Sequence, residues 1–492
     1  MRQGFDNDRY IRMQSARIRE RIAQFGGKLY LEFGGKLFDD HHAARVLPGF
    51  QPDSKLRMLK TLADRAEVVI VVNAQDIESN KIRGDLGIGY DSETLRLIDS
   101  FREAGLYVGS VVITRFAGQA AEAYQRRLES QGVKVFRHYE IEGYPSNLNR
   151  IVSDEGYGRN EYIQTERELV VVTAPGPGSG KMATCLSQLY HEYRRGVKAG
   201  YAKFETFPIW NLPLKHPVNL AYEAATADLN DVNMIDPYHM EAYGEVAVNY
   251  NRDVEIFPVL RAIFERIQGK SPYESPTDMG VNMAGYCITD NEACCDASRR
   301  EIVRRYFAAR CAKLRGTGED AAIGKIEILM EQAGVSPENR RSAREANRLE
   351  EATGKPAAAM ELADGSVVTG KTKDLLGCSS AMLLNALKTL AGIPDDVKLI
   401  SERIIEPIQR LKITSLGNRN PRLHTDEVLI ALSICAVDNE YAARAIAQLP
   451  SLAGLEAHAS VLLSPVDEDT FRRLGVNLTC QPKRETQRLY YR

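Results

Sequence analysis

Residues 169–181 read LVVVTAPGPGSGK, an apolar run that passes through a glycine-rich turn into a helical pattern. Glycines let several backbone N–H groups converge on one anion, and the amino end of a helix adds positive potential at that place. The stretch therefore predicts a phosphate-binding loop between a strand and a helix. The residues expected to bind the phosphate or its nucleotide are Gly176, Gly178, Ser179, Gly180, Lys181 and Thr184.

The loop departs from a Walker-type nucleotide site at two positions. That motif needs the pattern Gly-x-x-x-x-Gly-Lys-Ser/Thr, in which the last hydroxyl binds Mg²⁺. Pro175 stands where the first glycine belongs, and Met182 replaces the hydroxyl residue. Thr184 or Ser179 could supply the hydroxyl, although neither has the standard offset. Three interpretations remain open: a phosphate or carboxylate site, a nucleotide site, and a purely structural turn.

A phosphoryl-transfer site also uses a carboxylate at the end of a neighbouring strand, where it holds metal or orients the nucleophile. Asp76 follows the apolar run Val68–Val72, and Asp154 follows Ile151-Val152-Ser153. Acids at strand ends are commonly helix caps or solvated groups, which is the alternative to a functional role. The candidate catalytic residues are therefore Lys181, Asp76 and Asp154, and no metal-ligand set is predicted.

The runs on either side of this loop determine the fold class. Val68–Val72 is continuously apolar, as expected for a parallel strand that is buried on both faces. Strands alternating with helical patterns predict a doubly wound α/β domain, Rossmann-like or P-loop-like, over residues 1–235. The other predicted strands are Leu29–Phe33, Val108–Ile113, Val133–Phe136 and Leu169–Thr173, and the helices lie near 8–25, 54–65, 92–104 and 118–131.

Two further regions follow the α/β domain. Residues 236–350 are predicted to be helical, with helices that include 238–249 and a loop at 270–290. Residues 351–492 are predicted to form an α+β domain, because Asp364-Gly365 between two β-type runs indicates a hairpin. The later elements predicted there are helices near 379–391, 396–410, 426–447 and 467–474 and a strand at Ala459–Leu463.

Composition narrows the class of protein. The 492 residues carry 64 Lys+Arg and 66 Asp+Glu, a formal charge of −2, which argues against a strongly basic nucleic-acid binder. No apolar run approaches the ~20 residues of a membrane helix, and the charged N-terminus does not look like a secretory signal. We therefore expect a cytoplasmic protein with reduced cysteines. A homo-oligomer is also expected, since most soluble oligomers are homo-oligomers.

Two features near the loop suggest other kinds of chemistry. The segment HEYRR at 191–195 resembles the zinc-peptidase pattern His-Glu-x-x-His, but Arg195 occupies the second histidine position and cannot bind zinc. A zinc peptidase is therefore not expected. Cys185 lies near the start of the helix after the loop, where a thiol pKa can be lowered. A buried, unreactive thiol is the alternative.

Several segments resemble one known bacterial family. These are YLEFGGKL (30–37), SDEGYG (153–158), the stretch 170–229 that includes the glycine-rich loop, and SPTDMGVNMAG (275–285). The family is of similar length and carries only an unknown-function label, and its members are sometimes labelled ATP-dependent peptidases. The near-miss HEYRR and the near-miss Walker loop suggest how that label could arise. The resemblance implies a separate C-terminal domain but no established substrate and no catalytic residues.

The leading functional interpretation is an enzyme that binds a phosphorylated small molecule and catalyses phosphoryl or group transfer. ATP or another nucleotide with Mg²⁺ is the cofactor that this interpretation implies. The alternative is a non-catalytic sensor or assembly protein, whose loop binds an anion or nucleotide without turnover. Metal-dependent turnover of a nucleoside triphosphate separates the two.

Overall fold

The computed structural model describes residues 2–83 and 87–486, which form two compact units. The first unit comprises residues 2–223 and 231–298, and the second comprises residues 224–230 and 299–486. In both units helices pack on a β-sheet. Among the described residues, none of the helices is both long enough and apolar enough to cross a membrane.

The strands are β1 (Leu29–Phe33), β2 (Ala66–Asn73), β3 (Ile82–Arg83), β4 (Ile88–Gly89), β5 (Tyr107–Thr114), β6 (Val135–Arg137), β7 (Leu169–Thr173), β8 (Gly200–Phe204), β9 (Asn233–Ile235), β10 (Val248–Tyr250), β11 (Gly280–Val281), β12 (Ala357–Glu361), β13 (Val367–Lys371), β14 (Glu456–Ala459) and β15 (Asn477–Cys480).

The α-helices are α1 (Asn7–Gln24), α2 (His41–Val46), α3 (Ser54–Lys60), α4 (Ala74–Glu78), α5 (Tyr90–Glu103), α6 (Gly118–Ser130), α7 (Leu148–Ile151), α8 (Lys181–Arg194), α9 (Pro217–Ala225), α10 (Pro237–Tyr243), α11 (Asn251–Gln268), α12 (Pro276–Met279), α13 (Asn291–Arg315), α14 (Asp320–Ala333), α15 (Arg341–Thr353), α16 (Cys378–Leu390), α17 (Glu402–Arg410), α18 (Thr425–Cys435), α19 (Glu440–Ile446) and α20 (Pro465–Arg473).

The first unit is built on a seven-stranded sheet in the order β11-β8-β1-β7-β2-β5-β6. Every pairing in this sheet is parallel. The apolar strands β2 and β7 are buried along their whole length, because helices cover both faces of the sheet. The predicted α/β class is therefore confirmed for this unit.

The connections out of the neighbouring strands β7 and β2 run in opposite directions across this sheet. From β7 the chain passes through α8 to reach β8 on one side, and from β2 it passes through α4 and α5 to reach β5 on the other side. The carboxyl ends of parallel strands share one edge, and a reversal of this kind leaves a crevice there in which α/β proteins bind ligands. The glycine-rich loop after β7 lies at this reversal.

Several local predictions between 200 and 290 were wrong. The helix predicted at 238–249 ends at Tyr243, because Gly244 adopts a φ of +70°, and β10 follows. The predicted loop at 270–290 contains α12 and the edge strand β11, which is only two residues long. Strand β8 (GYAKF) was not predicted, since it lacks the β-branched residues that signal a strand.

The second unit contains a four-stranded sheet in the order β13-β12-β14-β15. The predicted hairpin is confirmed, because β12 and β13 pair antiparallel on either side of Asp364-Gly365. The helix predicted at 426–447 is instead two helices, since Asn439 caps α19. The strand predicted at Ala459–Leu463 lies earlier, at β14, and β15 was not predicted. The division into three domains stays a prediction.

A buried ion network in the second unit joins helix α13 to β14. The guanidinium of Arg304 lies 2.7 Å from Glu301 and 2.5 Å from Glu456. Arg340 lies 2.5 Å from Glu456 and also donates to the carbonyls of Ala457 and Asn477, each at 2.7 Å. Burial alone would raise the pKa of Glu456, but the two arginines outweigh it and hold that pKa below its usual value.

Candidate functional site

The loop between β7 and α8 has the backbone that its glycines predicted. Gly178 and Gly180 have φ values of +76° and +92°, in the left-handed region that other residues rarely adopt. Gly180 is also the N-cap residue of helix α8, which begins at Lys181. The two glycines thus turn the chain from a buried strand into a helix within a few residues.

The carbonyl groups of this loop are bonded to side chains of neighbouring strands and of the loop itself. Thr114 at the end of β5 donates to the Ser179 carbonyl at 2.7 Å, and Asn73 at the end of β2 donates to the Gly178 carbonyl at 3.5 Å. In a trans peptide the C=O and N–H groups point in opposite directions. The amides of Ser179 and Gly180 therefore point away from Thr114 and Asn73.

The amides at the start of α8 have no acceptor among the residues that the structure describes. Helices α1, α4 and α10 are capped by Asp6, Asn73 and Asp236, whose side chains accept from the first-turn amides. Gly180 offers no such side chain, and no hydrogen bond from the amides of residues 178–183 is found within the described chain. Orphan amides at a helix start are the groups that bind anions in proteins.

The glycines of the loop differ in the space around them. A Cβ on Gly176 would lie 2.1 Å from the Tyr90 hydroxyl, so that glycine is needed for packing against the ring. A Cβ on Gly178 would meet nothing within 4 Å, and the residue is exposed. The open face of the loop is therefore at Gly178, whereas Gly176 is covered by Tyr90.

Three cationic side chains lie on or near this edge of the sheet. Lys181 is the first residue of α8 and forms no ion pair with any residue that the structure describes. Lys81 lies 5.0 Å from the centre of the Tyr90 ring, next to the loop. Arg115, just after β5, is exposed and has a φ of +47°, which is unusual for a residue with a side chain. Lys81 is paired with Asp76, so the positive charge that no described carboxylate neutralises is that of Lys181 and Arg115.

The structure brings Asp76 close to this region. It lies in the first turn of α4, the helix that Asn73 caps, and one carboxylate oxygen accepts from Lys81 at 3.1 Å. Its second oxygen, Oδ2, is buried and has no hydrogen-bond partner among the described atoms. Asp76 is thus connected to the loop through Lys81 and Tyr90.

Asp154 is not at the loop, and the strand predicted before it is wrong. The preceding segment is the short helix α7, which Asn147 caps. Asp154 instead accepts from Tyr190 at 2.9 Å and pairs with Arg194. Because Tyr190 lies nine residues into α8, Asp154 is roughly 13 Å along the helix axis from the amino end.

The next turn of α8 is buried. Thr184 is fully buried, and its hydroxyl has no hydrogen-bond partner among the described atoms. Cys185 is also fully buried, and burial raises the pKa of its thiol well above the usual value. The idea of a lowered thiol pKa at Cys185 was therefore wrong, because desolvation outweighs the nearby Lys181.

The HEYRR segment serves the packing of α8. His191 Nε2 lies 2.8 Å from the Asn160 carbonyl, and Arg195 stacks on the Tyr162 ring at 3.8 Å. Across residues 2–83 and 87–486, no group of three His, Cys, Asp or Glu side chains is arranged to hold a metal ion. None of the eight cysteines forms a disulfide.

Reasoning from the sequence missed the side chains that surround the loop. Asn73, Tyr90 and Thr114 lie at three other strand–helix connections, and Lys81 lies between α4 and β3. Asn73 and Thr114 could have been found as the polar residues that end apolar runs in a parallel sheet. No local signal marks Tyr90 or Lys81.

Comparison with known proteins gives one consistent family. Residues 3–334 match the family model described as domain of unknown function DUF1846, N-terminal, and residues 338–490 match its C-terminal counterpart. The chain is 57% identical over 489 residues to UPF0371 protein cu0538 of Corynebacterium urealyticum, covering 99% of this chain and 98% of the relative. It is 56% identical over 490 residues to a UPF0371 protein of Streptococcus pneumoniae strain JJA, covering 99% of each.

Proposed function

Since this chain belongs to the family described as domain of unknown function DUF1846, we propose its function from the site itself. We propose that the β7–α8 loop binds the phosphate group of a small molecule and that the protein catalyses phosphoryl or group transfer on that ligand. The observation that carries the proposal is that the amides of residues 178–183, at the start of a fourteen-residue helix, have no acceptor in the described part of the chain.

The surroundings of the loop support an anionic ligand. Thr114 and Asn73 fix the loop carbonyls from one side, so the amides need not reorganise when a phosphate binds. Lys181 is free to form a charge-assisted contact, which is typically about twice as strong as a neutral hydrogen bond. The loop also lies at the reversal of the sheet, where α/β proteins bind ligands.

Chemistry at this site would use residues from two strand–helix connections, β7–α8 and β2–α4. Lys181 would stabilise the charge that builds up on the transferred group. The unpartnered Oδ2 of Asp76 could orient the attacking group or hold Mg²⁺ together with the ligand phosphates, since Mg²⁺ is usually bound through one or two carboxylates and substrate phosphates. ATP or another nucleotide is the ligand class that fits this use of Mg²⁺.

The second candidate is a sensor or assembly protein that binds the anion without turnover. Met182 favours it, because a thioether is a poor ligand for Mg²⁺ and stands where a Walker site has its hydroxyl. Asp154, one of the two acids suggested by the sequence, also lies away from the loop. Binding is common to both candidates, and only turnover separates them.

Calorimetry with inorganic phosphate, AMP and ATP tests the binding step. The Lys181→Ala substitution is expected to weaken binding of the best ligand roughly tenfold to hundredfold, because a charge-assisted contact contributes ~1.5–3 kcal/mol. Lys60→Ala is the matched control, since Lys60 is an exposed lysine at the end of α3. If no phosphorylated ligand prefers the wild type over Lys181→Ala, the loop is only a turn and the proposal is wrong.

Turnover is measured separately, as Mg²⁺-dependent release of phosphate from ATP by the wild type and by Asp76→Asn. Transfer chemistry predicts turnover in the wild type and a large loss in Asp76→Asn with retained binding. Binding without turnover in the wild type would instead establish the sensor candidate for ATP.

A further inference from the structure

A narrow pocket opens at the carboxyl ends of strands β8 and β11, on the edge of the sheet that also carries the glycine-rich loop. Glu205 follows directly after β8, Asn282 follows directly after β11, and both residues line the pocket together with Pro208 and Trp210. The space is about 260 Å³ with its opening to solvent included, below the ~300–1,000 Å³ of sites for drug-sized ligands. The pocket therefore fits one end of a small molecule.

Most polar side chains around this pocket already have partners in the protein. Trp210 Nε1 donates to the Asn282 carbonyl at 3.1 Å, and Asn282 Nδ2 donates to the Pro208 carbonyl at 3.0 Å. The Thr277 hydroxyl donates to Asp236 at 2.6 Å. These bonds fix the walls of the pocket, and their groups have little left to offer a ligand.

Glu205 differs from the other polar groups of the wall. Its Oε1 atom lies 2.6 Å from Lys203 Nζ, whereas no hydrogen bond to Oε2 is found within the described residues. A Cβ on Gly280, which lines the pocket, would lie 4.0 Å from Oε2. Oε2 is therefore the carboxylate oxygen on the pocket side, and it is free to accept from a ligand.

The charges around Glu205 do not balance. Lys203 also pairs with Asp253 of α11, so one ammonium serves two carboxylates, and Glu32 of β1 adds negative charge. Burial raises the pKa of Glu205 above its usual range, and repulsion from Asp253 and Glu32 adds to this rise, although Lys203 opposes it. A positive charge placed at Oε2 would relieve this repulsion.

We propose that the pocket binds the primary ammonium group of a small molecule. The ammonium donates to Glu205 Oε2 and supplies the positive charge, and its carbon chain lies against Trp210 and Pro208. Tryptophan is the aromatic side chain that attracts cations most strongly. A hydroxyl group could donate to the same oxygen but would leave the charges unbalanced, so an alcohol of equal size should bind less tightly. This proposal does not depend on the phosphate site.

Fluorescence of Trp210 reports binding directly, because it is the only tryptophan in the chain. n-Propylammonium chloride is titrated into the full-length protein at pH 7 and constant ionic strength, and 1-propanol is the uncharged probe of the same size. We expect a change that saturates with the amine, with an affinity roughly tenfold or more above that for the alcohol. No saturable change with the amine, or equal affinities for both probes, would overturn the proposal.

A charge-removing substitution tests the role of Glu205. Glu205→Gln keeps the shape of the side chain and should weaken amine binding roughly tenfold to hundredfold, because hydrogen bonds to charged groups are the stronger ones. Glu255→Gln is the matched control, since Glu255 is exposed on α11 and does not line the pocket. Unchanged amine affinity in Glu205→Gln would overturn the proposal.

Gly280→Ala tests the position of the site without changing a charge, and it decides the question if Glu205→Gln does not fold. Gly280 has a φ of −71°, which any residue adopts, and the new methyl group would lie 3.2 Å from the Thr277 carbonyl and 4.0 Å from Oε2. The methyl group narrows the space beside Oε2 and should weaken amine binding roughly tenfold. Wild-type affinity in this variant would show that the amine binds elsewhere, contrary to the proposal.

Discussion

The β7–α8 loop and the Glu456 ion network are two polar regions of this protein that are built in opposite ways. In the network, the buried charges of Arg304, Arg340 and Glu456 are matched by one another and by backbone carbonyls. In the loop, the amides of residues 178–183 and the Lys181 ammonium have no partner within the described chain. The first arrangement stabilises the folded state. The second leaves hydrogen-bond donors and a positive charge that a ligand can bind.

This difference separates a structural role from a binding role for polar groups. Removing one member of a buried network leaves its partners charged and unpaired, so the free energy of unfolding changes. Removing an unpaired group at an open edge changes little in the fold, so affinity for a ligand should change instead. Each prediction below tests one side of that contrast.

The largest expected effect is on the free energy of unfolding of Glu456→Gln. The substitution keeps the shape of the side chain but leaves Arg304 and Arg340 without their shared carboxylate, and breaking a buried pair costs about 3–5 kcal/mol. Urea denaturation measures the change. Glu402→Gln is the control, because that carboxylate forms an exposed ion pair with Lys398. If the two variants unfolded at similar urea concentrations, the buried network would stabilise the protein no more than a surface ion pair does, and this account would be contradicted.

A smaller effect is expected for Gly176→Ala compared with Gly178→Ala. At Gly176 the new methyl group would collide with the Tyr90 hydroxyl and should cost about 1–3 kcal/mol of stability through overpacking. At Gly178 the space is open, and only the left-handed backbone costs about 1–2 kcal/mol. Thermal unfolding compares the variants, and Tyr90→Ala should relieve the first cost but not the second. If Gly176→Ala and Gly178→Ala lost equal stability, and Tyr90→Ala restored none of it, this account of the loop would be contradicted.

The smallest effect is a dependence of stability on pH that arises at His424. Its Nδ1 lies 3.0 Å from Asp467, and this hydrogen bond raises the pKa of His424, with Glu427 adding to the shift and Lys412 opposing it. A raised pKa contributes stability below the unfolded value near 6.5, and that stability is lost as pH rises through the folded value. The pKa of Asp467 is lowered, so that carboxylate stays ionised throughout this window.

The free energy of unfolding of the wild type should therefore decline between pH 6 and pH 8 more than that of His424→Gln. The decline should be small beside the effect of Glu456→Gln. Chemical denaturation at the two pH values measures it for both proteins. A steeper decline in His424→Gln than in the wild type would reverse the sign and disprove the assignment.

The sequence predicted the loop better than it predicted its surroundings. The run Leu169–Thr173 and the following glycines carry strong local signals, so the strand, the turn and α8 were found. Thr114 and Asn73 act on the loop through parallel pairing of strands that are distant in the sequence, and no local pattern encodes that pairing.

The prediction at Asp154 failed for the opposite reason, because a local pattern suggested a strand that is not there. The apolar residues before it imitate a short strand, but Asn147 starts a helical turn there, and the acid pairs with Arg194. The edge strand β11 was missed because two residues are too few to show a period.

The most direct test of the central claim, that the loop amides bind phosphate, is nuclear magnetic resonance of protein labelled with ¹⁵N-glycine. The Gly178 and Gly180 amide signals, assigned by their loss in the two alanine variants, should move as inorganic phosphate or the best calorimetric ligand is added. The Gly196 amide, which is bonded to the Tyr193 carbonyl at the far end of α8, should not move. Shifts at Gly178 and Gly180 that saturate and weaken in Lys181→Ala are the predicted result. Unmoved signals at both glycines, under conditions in which the ligand binds, would contradict the claim.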